Sequence, residues 1–134
     1  MPREPPGDAR RILVVDDNAD AADSLGMLLG ARGDEVRIAY DGLEALAAEN
    51  EFRPEVVLLD IGMPRLSGYD VARRIRDARG QSVLIVAITG WGQEEDRQRA
   101  RDAGFNYHFT KPVDFEMLLD LIEREAPRHS ASPG

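Results

Sequence analysis

Apolar residues along this chain fall into two alternating periods. Continuous runs of strand length occur at "ILVV" (12–15), "EVRIAY" (35–40), "EVVLLD" (55–60), "SVLIVAIT" (82–89) and "NYHFT" (106–110). Between these runs the apolar positions recur at helical spacing. Leu25, Leu28 and Leu29 share one helix face, Val71, Ala72 and Ile75 another, and Phe115, Leu118, Leu119 and Ile122 a third. The stretch 42–51 ("GLEALAAENE") reads as a short helix, and 93–103 ("QEEDRQRARDA") as a helix so polar that it must pack weakly. Gly33, Gly80 and Gly104 punctuate the ends of the first, third and fourth helices.

Five strands alternating with five helices predict a parallel sheet covered on both faces, an open doubly wound α/β sandwich. The near-continuous apolar runs at 12–15, 56–59 and 83–88 are its inner strands, and the run with Asn106, Tyr107 and His108 is an edge. The pattern places one domain at 11–126, preceded by a loose Pro-rich leader (1–10) and followed by a frayed tail (127–134). In such sheets the ligand crevice lies beyond the carboxyl ends of the strands.

Composition narrows the function. A chain of 134 residues accommodates one core of this kind and no second domain. No apolar run approaches the roughly 18 residues of a membrane span, and no signal peptide is visible. The absence of cysteine removes disulfides and thiol chemistry and fits a reducing cytoplasm. A formal charge of −8 argues against sequence-independent nucleic-acid binding, which needs a basic surface, and suits a cation or a basic partner.

The ends of the apolar runs carry the chemistry. The first ends at Asp16 and Asp17, the third at Asp60, the fourth at Thr89, and the fifth at Thr110 and Lys111. Any one of these has a bland explanation, since Asp commonly caps the turn or helix that follows a strand. Together, the predicted topology turns all of them toward one crevice. Adjacent carboxylates repel each other, and burial raises the cost of keeping both charged. Three oxygen anions suit a hard divalent cation such as Mg²⁺, which takes one or two carboxylates, waters and a phosphate oxygen. Lys111 adds a compact positive charge and Thr89 a hydroxyl. These parts suit a phosphoryl group, and an Asp can itself be the nucleophile.

The segments "VVDDNAD", "LLDIGMPRLSGYD", "AITGWG" and "FTKPVD", in this order and spacing, resemble the receiver domain of bacterial two-component response regulators over about residues 10–126. The resemblance implies a flavodoxin-like (βα)5 sandwich with strand order 2-1-3-4-5. It implies that Asp60 is the phosphoacceptor and that Asp17 ligates Mg²⁺ (or Mn²⁺) directly, with Asp16 acting through water. The Gly62 backbone carbonyl would be a further ligand. Thr89 would bond a phosphoryl oxygen and shift on activation, and Lys111 would contact the phosphoryl group, with the Lys111–Pro112 peptide cis. Met63, Pro64 and Gly68 match the loop after the acceptor. The implied donor is a phosphohistidine on a histidine kinase or a histidine phosphotransfer protein. The implied product is a cytoplasmic phosphorelay switch that catalyses its own phosphorylation and dephosphorylation, not a turnover enzyme. Its fourth helix, fifth strand and fifth helix would form the partner surface, and a homodimer through that surface is compatible. The stretch from Thr89 to Asp114 looks most like receivers associated with hybrid histidine kinases.

Two positions depart from the family. His108 stands three residues before the lysine, where Tyr or Phe is usual, so an aromatic switch of the ordinary kind is absent there. Gly62 and Trp91, two residues past the acceptor and two past the threonine, occupy positions that tune phosphoryl lifetime. Trp91, His108 and Pro112 are therefore expected at the switch or partner surface. Other classes fit less well. An aspartyl phosphohydrolase of the haloacid-dehalogenase type would need an Asp-x-Asp pair after the first strand, whereas Asp16 and Asp17 are adjacent. A flavin binder would need a phosphate-cradling first loop, whereas "DDNADAAD" is acidic and lacks glycine. A receiver that signals by binding alone has no need of the complete acidic, hydroxyl and lysine set.

Overall fold

The structure, a computed structural model, describes residues 10–63, 65–90 and 94–126, with the side chains of 94–96 excepted. Elements alternate strictly: β1 (Arg11–Val15), α1 (Ala19–Ala31), β2 (Glu35–Ala39), α2 (Gly42–Phe52), β3 (Val56–Asp60), α3 (Gly68–Arg79), β4 (Leu84–Thr89), α4 (Glu94–Ala103), β5 (Tyr107–Thr110) and α5 (Phe115–Glu125). All strand pairs are parallel and the order is β2-β1-β3-β4-β5. The three apolar runs read as inner strands are indeed β1, β3 and β4, and "NYHFT" supplies an edge.

Strand alternation sorts the inner residues into two cores. Leu13, Val15, Val57, Leu59, Ile85 and Ala87 face α2, α3 and α4. Ile12, Val14, Val56, Leu58, Val86 and Ile88 face α1 and α5. Because both faces are covered, β3 and β4 are buried at every position, which is why they read as unbroken apolar runs.

The helices begin where short polar side chains satisfy the free N–H groups of the first turn. Asn18, Asp41 and Asp114 cap α1, α2 and α5, and Ser67 forms a reciprocal capping box with Asp70 on α3. Gly33, Gly80 and Gly104 follow the last turns of α1, α3 and α4 with positive φ, as their sequence positions predict. The leucines of α1 differ in burial. Leu25 and Leu29 pack on the sheet, but Leu28 is 49 % exposed beside the exposed Met27. The apolar stripe of α1 is thus wider than the sheet it covers. Among its described side chains, the polar fourth helix contributes only Ala100 and Ala103 to the core.

Backbone hydrogen bonds reach both ends of the described residues. Arg10 is itself buried, and its carbonyl accepts from Glu35 N–H at 2.9 Å. Ala126 closes α5 with an N–H bond to the Ile122 carbonyl at 3.0 Å. Arg76 ties α3 to the far side of the sheet: its guanidinium donates to the carbonyls of Gly80, Val83 and Gly104 and to Asn106 Oδ1, which also accepts from Ile85 N–H.

Truncating Leu58, fully buried in the centre of the sheet, is expected to cost about 2–5 kcal/mol for Leu58→Ala. Met27→Ala on the exposed face of α1 should stay within about 0.5 kcal/mol of wild type. Urea unfolding followed by circular dichroism measures both.

Candidate functional site

The parallel register brings the carboxyl ends of β1, β3, β4 and β5 into one row. Asp60 pairs with Ile88 and Thr89 with Thr110, so the polar residues lie one step past the apolar runs. Asp16 follows β1 and is held by its N–H to the Ala39 carbonyl at 3.2 Å. Its Oδ1 accepts from Asn18 N–H at 2.9 Å, which turns the chain into α1. Lys111 follows β5, with its N–H on the Thr89 carbonyl at 2.7 Å. The Lys111–Pro112 peptide is cis.

The side chains converge as the sequence suggested. Carboxylate oxygens of Asp16, Asp17 and Asp60 all lie within 4.8 Å of one another. Asp16 and Asp60 are buried, whereas Asp17 is exposed. The Lys111 ammonium stands 3.1 Å from Asp16 Oδ2 and 3.9 Å from Asp60 Oδ2. Asp60 Oδ1 accepts from Gly62 N–H at 3.1 Å. Thr89 is buried at the end of β4.

This arrangement is electrostatically strained around Asp60. Burial pushes its carboxyl up to about 6, and the neighbouring Asp16 carboxylate adds to the rise. The Gly62 N–H and the Lys111 ammonium oppose it without cancelling it. One lysine does not balance three carboxylates. The donor set fits a hard divalent cation: three carboxylate oxygens, partly dry, at one open edge.

The loop after Asp60 is fixed by close backbone contacts. Gly68 N–H bonds the Ile61 carbonyl at 3.2 Å, and Ile61 N–H bonds the Ile88 carbonyl at 3.2 Å. A Cβ at Gly68 would meet the Asp60 carbonyl oxygen at 2.6 Å and Ile61 Cα at 2.7 Å, so this position requires glycine. Met63 is buried beneath the loop.

Of the remaining sequence expectations, Gly62 and Pro112 are exposed at the rim of the site, and His108 is half-buried on β5, away from the acidic cluster. Pro64 and Trp91 lie outside the described residues. Sequence reasoning passed over Arg65, which enters the site region with φ 62°. Arginine carries no sequence signal for left-handed backbone, so only the structure exposes it.

The comparisons with known proteins agree with this geometry. The sequence profile of the response regulator receiver domain matches residues 12–123. The chain belongs to the response regulator receiver-domain family. It is 37% identical over 114 residues to the "Uncharacterized 14.6 kDa protein in sodA1 3'region" of Leptolyngbya boryana, covering 84% of this chain and 87% of that protein. It is 37% identical over 125 residues to the response regulator MprA of Mycobacterium bovis, covering 90% of this chain and 54% of MprA. It is 32% identical to the DNA-binding dual master transcriptional regulator RpaA of Synechocystis, covering 84% of this chain and 47% of RpaA. The chain thus spans about half the length of MprA and RpaA. Among solved structures, a CheY-like receiver domain protein from Methanospirillum hungatei superposes with TM-score 0.80 at 32% identity, over 87% of this chain and 92% of that one. The chemotaxis protein CheY4 of Vibrio cholerae superposes with TM-score 0.81 at 28% identity, over 87% and 98%. The flavodoxin-like fold expected from the sequence is therefore the observed one. No described helix is long and apolar enough to cross a membrane.

The raised Asp60 carboxyl carries a signature in stability. Its folded value lies above the unfolded value of 3.8, so its contribution favours folding below about pH 4 and is lost as pH rises through about 6. In metal-free protein, Asp60→Asn is expected to stabilise the fold by about 1–2 kcal/mol at about pH 7, after discounting for solvent screening, and by close to nothing at about pH 3.5. Urea midpoints at the two pH values measure this. Added Mg²⁺ should raise the midpoint of wild type more than that of Asp60→Asn.

Proposed function

We propose that this chain is a phosphoacceptor switch in a two-component phosphorelay, with Asp60 as the acceptor. The observation that carries this reading is the convergence of three carboxylates and one ammonium around the buried Asp60 at the carboxyl edge of the sheet. A buried carboxylate pressed by a like charge is a poor structural element and a good nucleophile once a cation stands beside it.

The residues divide the work. Asp17, Asp16, Asp60 and the Gly62 carbonyl would hold Mg²⁺ or Mn²⁺, with Asp16 reaching it through water. When bound, such an ion offsets the carboxylate charge and the negative charge on a phosphoryl group. An Asp60 carboxylate oxygen attacks phosphorus. The P–N bond of the donor phosphohistidine breaks, and its electron pair returns to the imidazole nitrogen. Lys111 and the Thr89 hydroxyl then hold the phosphoryl oxygens, each relieving part of the charge that Asp60 has acquired. Lys111 already bridges toward Asp16 and Asp60, so little reorganisation is needed.

The partner is a histidine kinase or a histidine phosphotransfer protein, and the product is a conformational signal. The dianion favours a second arrangement of α4, β5 and α5, the surface on which His108 and Pro112 lie and to which Trp91 is assigned. α4 suits this role because only two alanines anchor it in the core among its described side chains. A homodimer through the same surface fits the reading, as does action in the cytoplasm with no direct contact to nucleic acid or membrane by this domain. The receiver catalyses only its own modification and loss of the phosphoryl group, without turnover of a separate substrate. Attachment to a hybrid kinase belongs to the same reading.

Intact mass after incubation with acetyl phosphate tests it. Wild type should gain one phosphoryl group in the presence of Mg²⁺ and none in excess chelator, and Asp60→Asn should gain none. Lys111→Ala should be phosphorylated about tenfold to a hundredfold more slowly. Modification of Asp60→Asn at the wild-type rate, or no uptake by wild type under any condition, would refute the reading.

A further inference from the structure

The loop after the acceptor holds a cation that the phosphorelay reading leaves unused. Arg65 is exposed and adopts φ 62°, a left-handed conformation that side chains other than Gly, Asn and Asp seldom take. Such strain persists only where the surroundings impose it. Here they do. Leu66, the next residue, is wedged so closely against the start of α2 that a Cβ at Gly42 would meet Leu66 Cβ at 2.8 Å. Two residues further on, Gly68 sits on the Asp60 carbonyl. The chain is therefore pinned just beyond Arg65, and its side chain is left exposed. Among the described residues Arg65 makes no hydrogen bond and no ion pair, unlike Lys111, which is engaged with Asp16.

Arg65 lines a cavity of about 290 Å³ that reaches Asp17, one of the three clustered carboxylates. The other wall carries Tyr40 and Asp41. Asp41 is occupied in capping α2, accepting from Glu44 N–H at 2.8 Å, and its charge stays in the cavity. Arg65 is the one cation among the residues that line this space. Two carboxylates would repel any anion entering or leaving here, and one free guanidinium offsets that repulsion.

We propose that Arg65 is a specificity-determining residue for the phosphoryl donor: it receives the negative charge that appears on a departing carboxylate, and so favours small acyl phosphates over donors whose leaving group is neutral. This rests on the acceptor role of Asp60 given above. With acetyl phosphate, the new bond joins an Asp60 oxygen to phosphorus and the bond to the acetate oxygen breaks. The electron pair leaves with acetate, which needs no proton and departs as an anion. With N-protonated phosphoramidate the P–N bond breaks and the pair stays on nitrogen, so neutral ammonia departs. Only the first leaving group gains from the guanidinium.

The test compares phosphorylation rates of wild type, Arg65→Gly and Arg65→Lys with acetyl phosphate and with phosphoramidate at saturating Mg²⁺. Arg65→Gly keeps the left-handed backbone available, so any loss belongs to the side chain. The expected result is a loss of about three- to fivefold with acetyl phosphate, the size of one exposed charge pair, and a change under about twofold with phosphoramidate. Arg65→Lys should recover most of the acetyl phosphate rate, and high salt should shrink the difference. An equal loss with both donors, or an unchanged acetyl phosphate rate in Arg65→Gly, overturns the proposal while leaving Asp60 as acceptor. Wild type that takes no phosphoryl group from either donor removes the acceptor reading and this proposal together.

Discussion

The Asp16–Lys111–Asp60 cluster is where the sheet's geometry and the site's chemistry meet. Lys111 arrives from the last strand and Asp16 from the first, 95 residues earlier in the chain, and their ion pair of 3.1 Å closes the carboxyl edge of the sheet. Without the ammonium, two buried carboxylates would face each other in a partly dry crevice, and the penalty would fall on the strand ends that carry them. With it, the repulsion is reduced but not removed, and Asp60 retains a carboxyl raised to about 6. The fold holds this residual strain because the apolar layers on either side of the sheet are continuous up to Val15 and Leu59, the residues before Asp16 and Asp60.

That arrangement explains why rigid and yielding parts lie so close together. β3 and β4 are buried throughout, and the loop after Asp60 is locked by Gly68 against the Asp60 carbonyl. Asp60 therefore cannot move far. Among its described side chains, α4 is anchored in the core by its second half. Ala100, Ala103 and Phe105 are buried, and Phe105 meets Tyr69 edge to face with ring centroids 6.4 Å apart. Arg76 fixes the following turn through the Gly104 carbonyl and Asn106. The Arg99 guanidinium lies 4.4 Å from the centre of the Tyr69 ring, a contact near the surface that is weaker than burial. Asp60 thus stands on a fixed strand, while the described side chains of α4 bury little apart from two alanines.

Similarity to known receivers and the local geometry support each other at different levels. The family profile covers nearly all of the described sheet, and solved receivers superpose on it closely. Likeness of fold says little about donors or outputs, which depend on a few side chains at the rim. MprA and RpaA are about twice as long as the part matched here, so what they regulate is a property of those longer proteins. In this chain Gly62, Arg65 and Pro112 are the exposed residues at that rim.

The sequence by itself determined the order of elements, the inner and outer strands, the helix stops at Gly33, Gly80 and Gly104, and the set Asp16, Asp17, Asp60, Thr89 and Lys111. These are legible because burial on two faces forces unbroken apolar runs, and because a polar residue ending such a run must sit at the sheet's edge. The strand limits shifted by only a residue or two, as at Leu84, where the apolar run began earlier than the pairing. Only the tertiary structure decided that Leu28 stays in solvent while Leu29 enters the core, since helical spacing gives a face but not the width of the surface it meets. It alone decided that Lys111 engages Asp16 more closely than Asp60, and that Asp17 is exposed while Asp16 is buried. It alone placed Arg65 in left-handed backbone beside the acidic cluster, because that conformation is imposed by Leu66 and Gly68 packing against α2 and β3, contacts between segments that no local pattern encodes.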